Sequence, residues 1–291
     1  MSSLSLPTVF TLAATDAIDL HMHTTYSDGH WAPAELFDYL AAHAMRLVAV
    51  TDHDRVDRID EMQALGLERN IAVLAGVEVT TDWNGQMADL LCYGFDSSKG
   101  SLQAVTQQIV ADQIANTRMV YTALVQQGYT FPRQNEVLAS TNGELKRPVD
   151  NITLLREHGY VADYQSGLHM IKQLGFKSAN TPLRTAVEAA HADGGVAVIA
   201  HPGRKERGFT LYTPSLLDEV RADNIPLDGI EVYYPLYTNE QTREYADYIV
   251  AHDWIGSCGS DSHGPCQRFP IPYQAQQANR LLARCGIALV A

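Results

Sequence analysis

The segment "DLHMHTTYSDG" places His21 and His23 two residues apart at the end of an apolar run, with Asp28 in the loop that follows. Similar groups recur downstream. "AVTDHD" carries Asp52, His53 and Asp54, "GVEVT" carries Glu78, and "MADLLCYGF" carries Asp89. Much later "VIAHPGR" brings His201 and Arg204, and "CGSDSHG" brings Asp261 and His263. Imidazoles and carboxylates hold divalent cations, activate water and move protons. Each motif alone has an ordinary explanation. H-x-H is often a turn pair, "TDHD" a helix N-cap after a strand, "HPG" a turn, and a single buried glutamate half of an ion pair. Five histidines and four carboxylates at the same end of successive strands would be costly together unless cations neutralised them. Metal binding is the better reading. Nitrogen and carboxylate donors without cysteine suit Zn, Mn or Fe, and a shared carboxylate suits two or more ions.

These groups converge only if the elements between them repeat as strand and helix. "AIDLHMH" alternates as a strand, with Ile18, Leu20 and Met22 on one face and Asp19, His21 and His23 on the other. "PAELFDYLAAHAM" has helical spacing, with Pro33 in its first turn. "RLVAVTDHD", "IAVLAGVEVT" and "ADLLCYGFD" read as strands and "RIDEMQALGLERN" as a helix. The rhythm suggests parallel βα units, whose strand ends form the active face of a (β/α) barrel. It breaks for about a hundred residues, far more than a βα connection needs. Residues 102–127 read as one long helix, and 149–158 and 162–174 as shorter ones. The rhythm returns with "LRTAVEAAHADG" and "GVAVIAHPG" and continues to "WIGSCGSDSHG". This predicts a first barrel segment over 16–98, a helical insertion or cap over 99–180, and a second barrel segment over 181–291.

The 291 residues, 46% hydrophobic and 19% charged, suit one large α/β domain with an insertion. A formal net charge of −13 disfavours duplex DNA as a partner. No apolar run is long enough for a membrane span. The opening "MSSLSLPTVFTLAATDAIDL" has an apolar patch without a basic n-region and reads as a short mobile lead-in. Cys92, Cys258, Cys266 and Cys285 lack C-x-x-C spacing, which argues against a zinc ribbon or disulfide scaffold and points to the cytoplasm.

In order and spacing, "DLHMHTTYSDG", "AVTDHD", "GVEVT", "VIAHPGR" and "CGSDSHG" resemble the polymerase and histidinol phosphatase (PHP) family, over about residues 16–96 and 181–291. The resemblance implies a metal-dependent phosphoesterase on a distorted seven-stranded (β/α) barrel, with a two- or three-metal centre of Mn, Zn or Fe. The insertion resembles the subgroup acting on nucleotides and on short RNA from the 5′ end, so the implied partner is a small phosphorylated substrate of that kind. Carried over by position, His21, His23, Glu78 and Asp261 would hold the first metal. Glu78 would bridge to a second held with His201, and Asp28, His53 and His263 would hold a third. Arg204 would clamp phosphate with its forked donors. Lys146 and Arg147 in "GELKRPVD" are either further substrate-binding charge or a solvated basic pair. The implied chemistry is in-line attack by a metal-bridging hydroxide, with the leaving oxygen protonated by a metal-bound water, Asp54 or His263.

The pattern also departs from the family. Asp89 stands where a histidine usually serves the second metal, Val149 follows "RP" in place of histidine, and Tyr233, Tyr234 and Tyr237 occupy a stretch often rich in histidine. If Asp28, Glu78, Asp89 and Asp261 are all ionised, three divalent ions and a bridging hydroxide leave the centre net positive. Two ions leave it net negative, which disfavours a dianionic phosphate. A coordinating Asp89 therefore fits three filled sites and an oxygen-preferring ion such as Mn²⁺; the alternative is a water-mediated role. Two other readings stand beside this one: an amidohydrolase on a similar barrel, and a metal-stabilised binding module that has lost turnover.

Overall fold

Branched and aromatic residues dominate the strands that lead into the polar motifs, as a pleated surface buried on both faces requires. The computed structural model describes residues 10–205 and 208–290. Along the chain the first strands are β1 (Thr11–Ala13), β2 (Ala17–Asp19), β3 (Leu47–Val48), β4 (Ala72–Val73) and β5 (Gly76–Val79). β6 (Thr81–Trp83), β7 (Gln86–Met87) and β8 (Leu90–Tyr93) follow. After the helical stretch come β9 (Thr181–Pro182), β10 (Val196–Ile199), β11 (Gly229–Tyr233), β12 (Ile255–Cys258), β13 (Tyr273–Gln274) and β14 (Ala288–Val290). The chain divides into two compact units, Met1–Thr106 with Thr181–Ala291, and Gln107–Asn180.

In the first unit, one sheet runs β12-β11-β10-β8-β5 and another β13-β2-β3-β4; β7-β6-β9 and β1-β14 form small separate sheets. Regular ladders among the described residues do not close into a ring. The α/β character expected from the sequence is present, but the strictly parallel arrangement is not: β8 runs antiparallel to both β5 and β10. A hairpin path through β6 and β7 reverses the chain between β5 and β8, where no crossover helix is available. Helices α1 (Pro33–Ala42) and α2 (Ile59–Glu68) follow β2 and β3. On α1, Pro33 fits the first turn and Leu36, Phe37 and Leu40 form the buried stripe.

The expected alternation of Ile18, Leu20 and Met22 fails at its last member. Ile18 and Leu20 pack with Leu47, Ala49, Leu91 and Val198, whereas Met22 packs with Trp31, Leu36 and Phe37. Regular pairing stops at Asp19, whose carboxylate accepts the amides of His21 (3.3 Å), Ser260 (2.9 Å) and Ile271 (2.9 Å), and the phase of the strand shifts there. The lead-in is also corrected in part. Residues 1–9 lie outside the described residues, but β1 pairs in parallel with β14 and Leu12 is fully buried.

The second unit has its own core. It takes in most of α3 (Ser101–Gln126), with α4 (Gln134–Val137), α5 (Pro148–Glu157) and α6 (Tyr164–Gln173). Val120 and Leu124 of α3 pack with Phe131, Leu145, Ile152, Leu155 and Ile171. The buried Asn151 amide donates to Thr117 O at 2.9 Å. The chain returns to the first unit at β9 and continues through α7 (Leu183–Ala192), α8 (Pro214–Ala222), α9 (Asn239–Ala251) and α10 (Asn279–Arg284). Among the described residues no helix is long and apolar enough to cross a membrane.

Candidate metal centre

The polar motifs meet because strand direction brings their ends together. His21 and His23 follow β2, His53 follows β3, Glu78 sits in β5, His201 follows β10, and Asp261 and His263 follow β12. Asp89 precedes β8, yet β8 is antiparallel, with Leu90 opposite both Val79 and Ile199. Its first residues therefore lie where its neighbours finish. Reversal of this one strand puts Asp89 beside Glu78 and His201.

All nine residues fall into three groups in which the nearest donor atoms lie within 4.8 Å of one another. His21, His23, Glu78 and Asp261 form the first group, entirely buried. His21 Nε2 and His23 Nε2 are 3.1 Å apart, and each is 3.1 Å from Glu78 Oε2. Asp261 Oδ1 lies 3.6 Å and 3.3 Å from the same two nitrogens. The second group is Glu78, Asp89 and His201, with His201 Nε2 3.0 Å from Glu78 Oε1. Glu78 thus offers one oxygen to each. The third group joins Asp28, His53 and His263, the set the family resemblance implied, but adds His23. Asp28 Oδ1 is 3.3 Å from His263 Nε2 and 3.8 Å from His23 Nδ1. Asp28 is half exposed, so this group faces solvent more than the others.

The donor set fits divalent cations on two counts. Ligands about 2.1 Å from an ion stand roughly 3.0 Å apart along an octahedral edge and roughly 3.4 Å along a tetrahedral one, close to the separations here. Among the described residues, His23 Nδ1 and His53 Nδ1 are also buried with no hydrogen-bond partner, nitrogens whose lone pairs a cation would take up. Electrostatics agrees. Burial opposes the charged form of His23, but hydrogen bonds with Asp261 and Glu78 outweigh it and lift the imidazole to about 10. Burial likewise opposes ionisation of Asp28, yet His53 and His263 hold its carboxyl well below the usual range. Burial, followed by the Glu78 charge, pushes Asp89 up to about 6. Without cations, the cluster balances its carboxylates by holding protons on imidazole.

A surrounding set of side chains holds these groups in place. Asp52 accepts from Thr24 N (2.7 Å), Thr24 Oγ1 (2.6 Å) and Ser27 Oγ (2.7 Å), which fixes the loop carrying His23 and Asp28. Asp54, read from sequence as a proton donor, has both oxygens occupied by Thr80, from N at 2.9 Å and Oγ1 at 2.8 Å. Asp261 Oδ2 accepts from Tyr234 OH at 2.7 Å and Arg204 Nη1 at 3.2 Å, with Arg268 Nη1 at 3.5 Å. The Arg204 guanidinium also stacks 3.7 Å over the Phe209 ring. In the helical unit Lys146 pairs with Glu144 at 3.2 Å, and Arg147 lies 3.8 Å from Asp150. Pro148 opens α5 just after Arg147, with Val149 and Asp150 next in its first turn.

Sequence reasoning missed Glu231, Arg268 and the role of Tyr234. Glu231 is fully buried in β11 and its carboxylate reaches His21 Nδ1 and His201 N. The one visible signal was an acidic residue between Ile230 and Val232 in an otherwise apolar strand. Gly259 belongs to the same packing: a Cβ there would collide with His21 Cβ and come 2.9 Å from Glu231 Oε1.

Comparison with known proteins gives the same picture. The profile of the PHP domain family matches residues 19–174. A 3′,5′-nucleoside bisphosphate phosphatase from Chromobacterium violaceum is 31% identical over 252 residues, covering 85% of this chain and 87% of that protein. A 5′-3′ exoribonuclease from Haemophilus influenzae is 29% identical over 257 residues, covering 87% of this chain and 92% of that protein. Among solved structures, a metal-dependent phosphoesterase from Bifidobacterium adolescentis superposes with a TM-score of 0.75 at 23% identity, over 92% of this chain and 96% of that one.

Proposed function

Because this chain belongs to the PHP domain family and is a metal-dependent phosphoesterase, we propose that it hydrolyses a nucleotide-like phosphomonoester at the cluster around Glu78. The observation that carries this reading is the splitting of Glu78, Oε2 toward His21 and His23 and Oε1 toward His201. A carboxylate shared in this way suits two adjacent cations. His21, His23, Glu78 and Asp261 hold the first, and Glu78, Asp89 and His201 the second. Asp28, His53 and His263 hold a third, with His23 Nδ1 turned toward it. When bound, divalent ions would neutralise phosphoryl oxygens and make water nucleophilic at neutral pH. Mn, Zn or Fe suits the donors, and the Asp89 oxygen moves the second position toward Mn.

Arg204 adds fixed positive charge beside Asp261, where charge grows on the phosphoryl oxygens during in-line displacement. A cavity of about 400 Å³ opens beside it, lined by Arg204, Lys205, Leu236, Tyr237 and Gln241. Its mix of apolar and polar groups suits a nucleoside leaving group, and relatives named for nucleotide and RNA hydrolysis support that substrate class. Asp54 acts by position, through Thr80 and the strand that carries Glu78. We also infer that the two larger sheets are arcs of one distorted barrel. β4 and β5 lie on one strand path, which with β13 set aside as an edge strand on β2 makes seven strands around the centre, and isolated bridges Met22↔Ser262 and His53↔Glu78 link the arcs at the ligand end. The buried unpaired thiols of Cys92 and Cys258 support a cytoplasmic location.

The test is phosphate release by Mn²⁺-loaded protein from nucleoside monophosphates, nucleoside 3′,5′-bisphosphates and 5′-phosphorylated oligoribonucleotides. Turnover of at least one of these is expected. Turnover confined to non-nucleotide esters would remove the substrate class, and none at all would overturn the reading.

A further inference from the structure

Glu231 is the third residue of β11, between Ile230 and Val232, and no part of it reaches solvent. Among the described residues no Arg or Lys pairs with it; the side chain that faces its charge is the His21 imidazole. Its two oxygens are spent separately. Oε1 lies 3.0 Å from His21 Nδ1, and Oε2 accepts the backbone N–H of His201 at 2.8 Å. The register between β11 and β12 shifts between Glu231 and Tyr233, and Gly259 leaves no Cβ to block the path to His21.

Each contact settles something about a different cation position. An ionised carboxylate against Nδ1 requires the proton there, which leaves the Nε2 lone pair of His21 facing His23 and Glu78. His201 has φ 30°, a backbone conformation that residues other than glycine rarely adopt. Glu231 Oε2 and the turn in which Arg204 N donates to His201 O hold it, and that backbone directs Nε2 to Glu78 Oε1. Among the described residues, His53, Asp28 and His263 form no hydrogen bond or ion pair with Glu231; their partners include Glu78, Asp261 and one another.

We propose that Glu231 is a positioning residue shared by two cation positions, so that those held by His21 and His201 fill as a linked pair. The proposal rests on the metal reading above. One carboxylate cannot turn to suit one histidine without releasing the other. Filling either position therefore favours the conformation the other requires.

Glu231→Gln keeps the shape and tests the claim. Its amide has one accepting oxygen. If that oxygen takes the His201 N–H, the NH₂ meets His21 Nδ1 and drives the proton to Nε2, removing a ligand lone pair. If it is turned the other way, two donors meet at His201. Metal content at controlled free Mn²⁺ is measured for the wild type, Glu231→Gln and His53→Ala. Histidine ¹⁵N spectra of the wild type loaded with diamagnetic Zn²⁺ report which His21 nitrogen keeps its proton, which requires no variant to fold. The expected result is roughly 10- to 100-fold weaker binding at two positions in Glu231→Gln, loss of one ion in His53→Ala, and an Nδ1–H tautomer at His21. Loss of a single ion in Glu231→Gln, unchanged affinity, or an Nε2–H tautomer would overturn the proposal. A wild type that takes up no metal would instead sink the underlying metal reading.

Discussion

Asp261 and Asp89 are both buried aspartates facing the same cluster, and the protein treats them in opposite ways. Asp261 Oδ2 takes donors from Tyr234, Arg204 and Arg268, which leaves Oδ1 for the first group. Burial opposes its charge, but His23 and His21 hold the carboxyl well below the usual range. The Asp89 carboxylate has no side-chain hydrogen bond among the described residues, and burial followed by Glu78 raises it to about 6. One side of the site is therefore organised before any cation arrives. The other resists ionisation until a cation offsets the burial and the Glu78 charge.

The largest effect is expected on the organised side. Asp261→Asn removes a charge that Arg204, Arg268 and several imidazoles share, leaving buried cations uncompensated. Activity should fall at least a thousand-fold, and metal-free stability by about 3–5 kcal/mol, read by phosphate release and urea unfolding. A metal-free variant as stable as the wild type would show that the donors around Asp261 do not depend on its charge.

Asp89→Asn should cost less and should differ in kind. One ion per chain should be lost, with a drop in turnover of about a hundred-fold, while metal-free stability is unharmed. The pH dependence gives the sign. The folded carboxyl sits near 6 against an ordinary 3.8, so the unfolded chain releases this proton first. As pH rises from about 4 through 6, Asp89 therefore removes stability from the metal-free protein, and the variant should lack that loss. Unchanged metal content would take Asp89 out of the ligand set.

Gly259→Ala comes next. The added methyl meets His21 and Glu231, so a loss of about 1–3 kcal/mol in unfolding experiments is expected, together with weaker binding at the first position. Tyr234→Phe removes one of the donors on Asp261 Oδ2 and should cost only about 1 kcal/mol and a few-fold in turnover, because Arg204 and Arg268 remain. An effect as large as that of Asp261→Asn would make Tyr234 a participant in the chemistry.

The same contrast explains how much could be read in the sequence. Ligand candidates were legible because each motif advertises itself locally, a His or Asp at the end of an apolar run, and the strand ends bring them together. The supporting contacts were not. His21 and Glu231 are 210 residues apart, and nothing local in "GIEVY" says which histidine its glutamate meets. The antiparallel course of β8 depends on the short β6–β7 hairpin, which a pattern of apolar runs does not reveal. Asp54 looked available because "TDHD" gives no sign that Thr80 occupies both its oxygens. Residues 11–13 looked like lead-in because their partner strand lies at the opposite end of the chain.

Anomalous diffraction from Mn²⁺-loaded crystals tests the central claim most directly. Peaks are expected within the three groups, two of them flanking Glu78, one on the side of Oε2 with His21 and His23, the other on the side of Oε1 with His201 and Asp89. Loaded crystals with no peak beside Glu78, or with Glu78 touching a single ion, would contradict it.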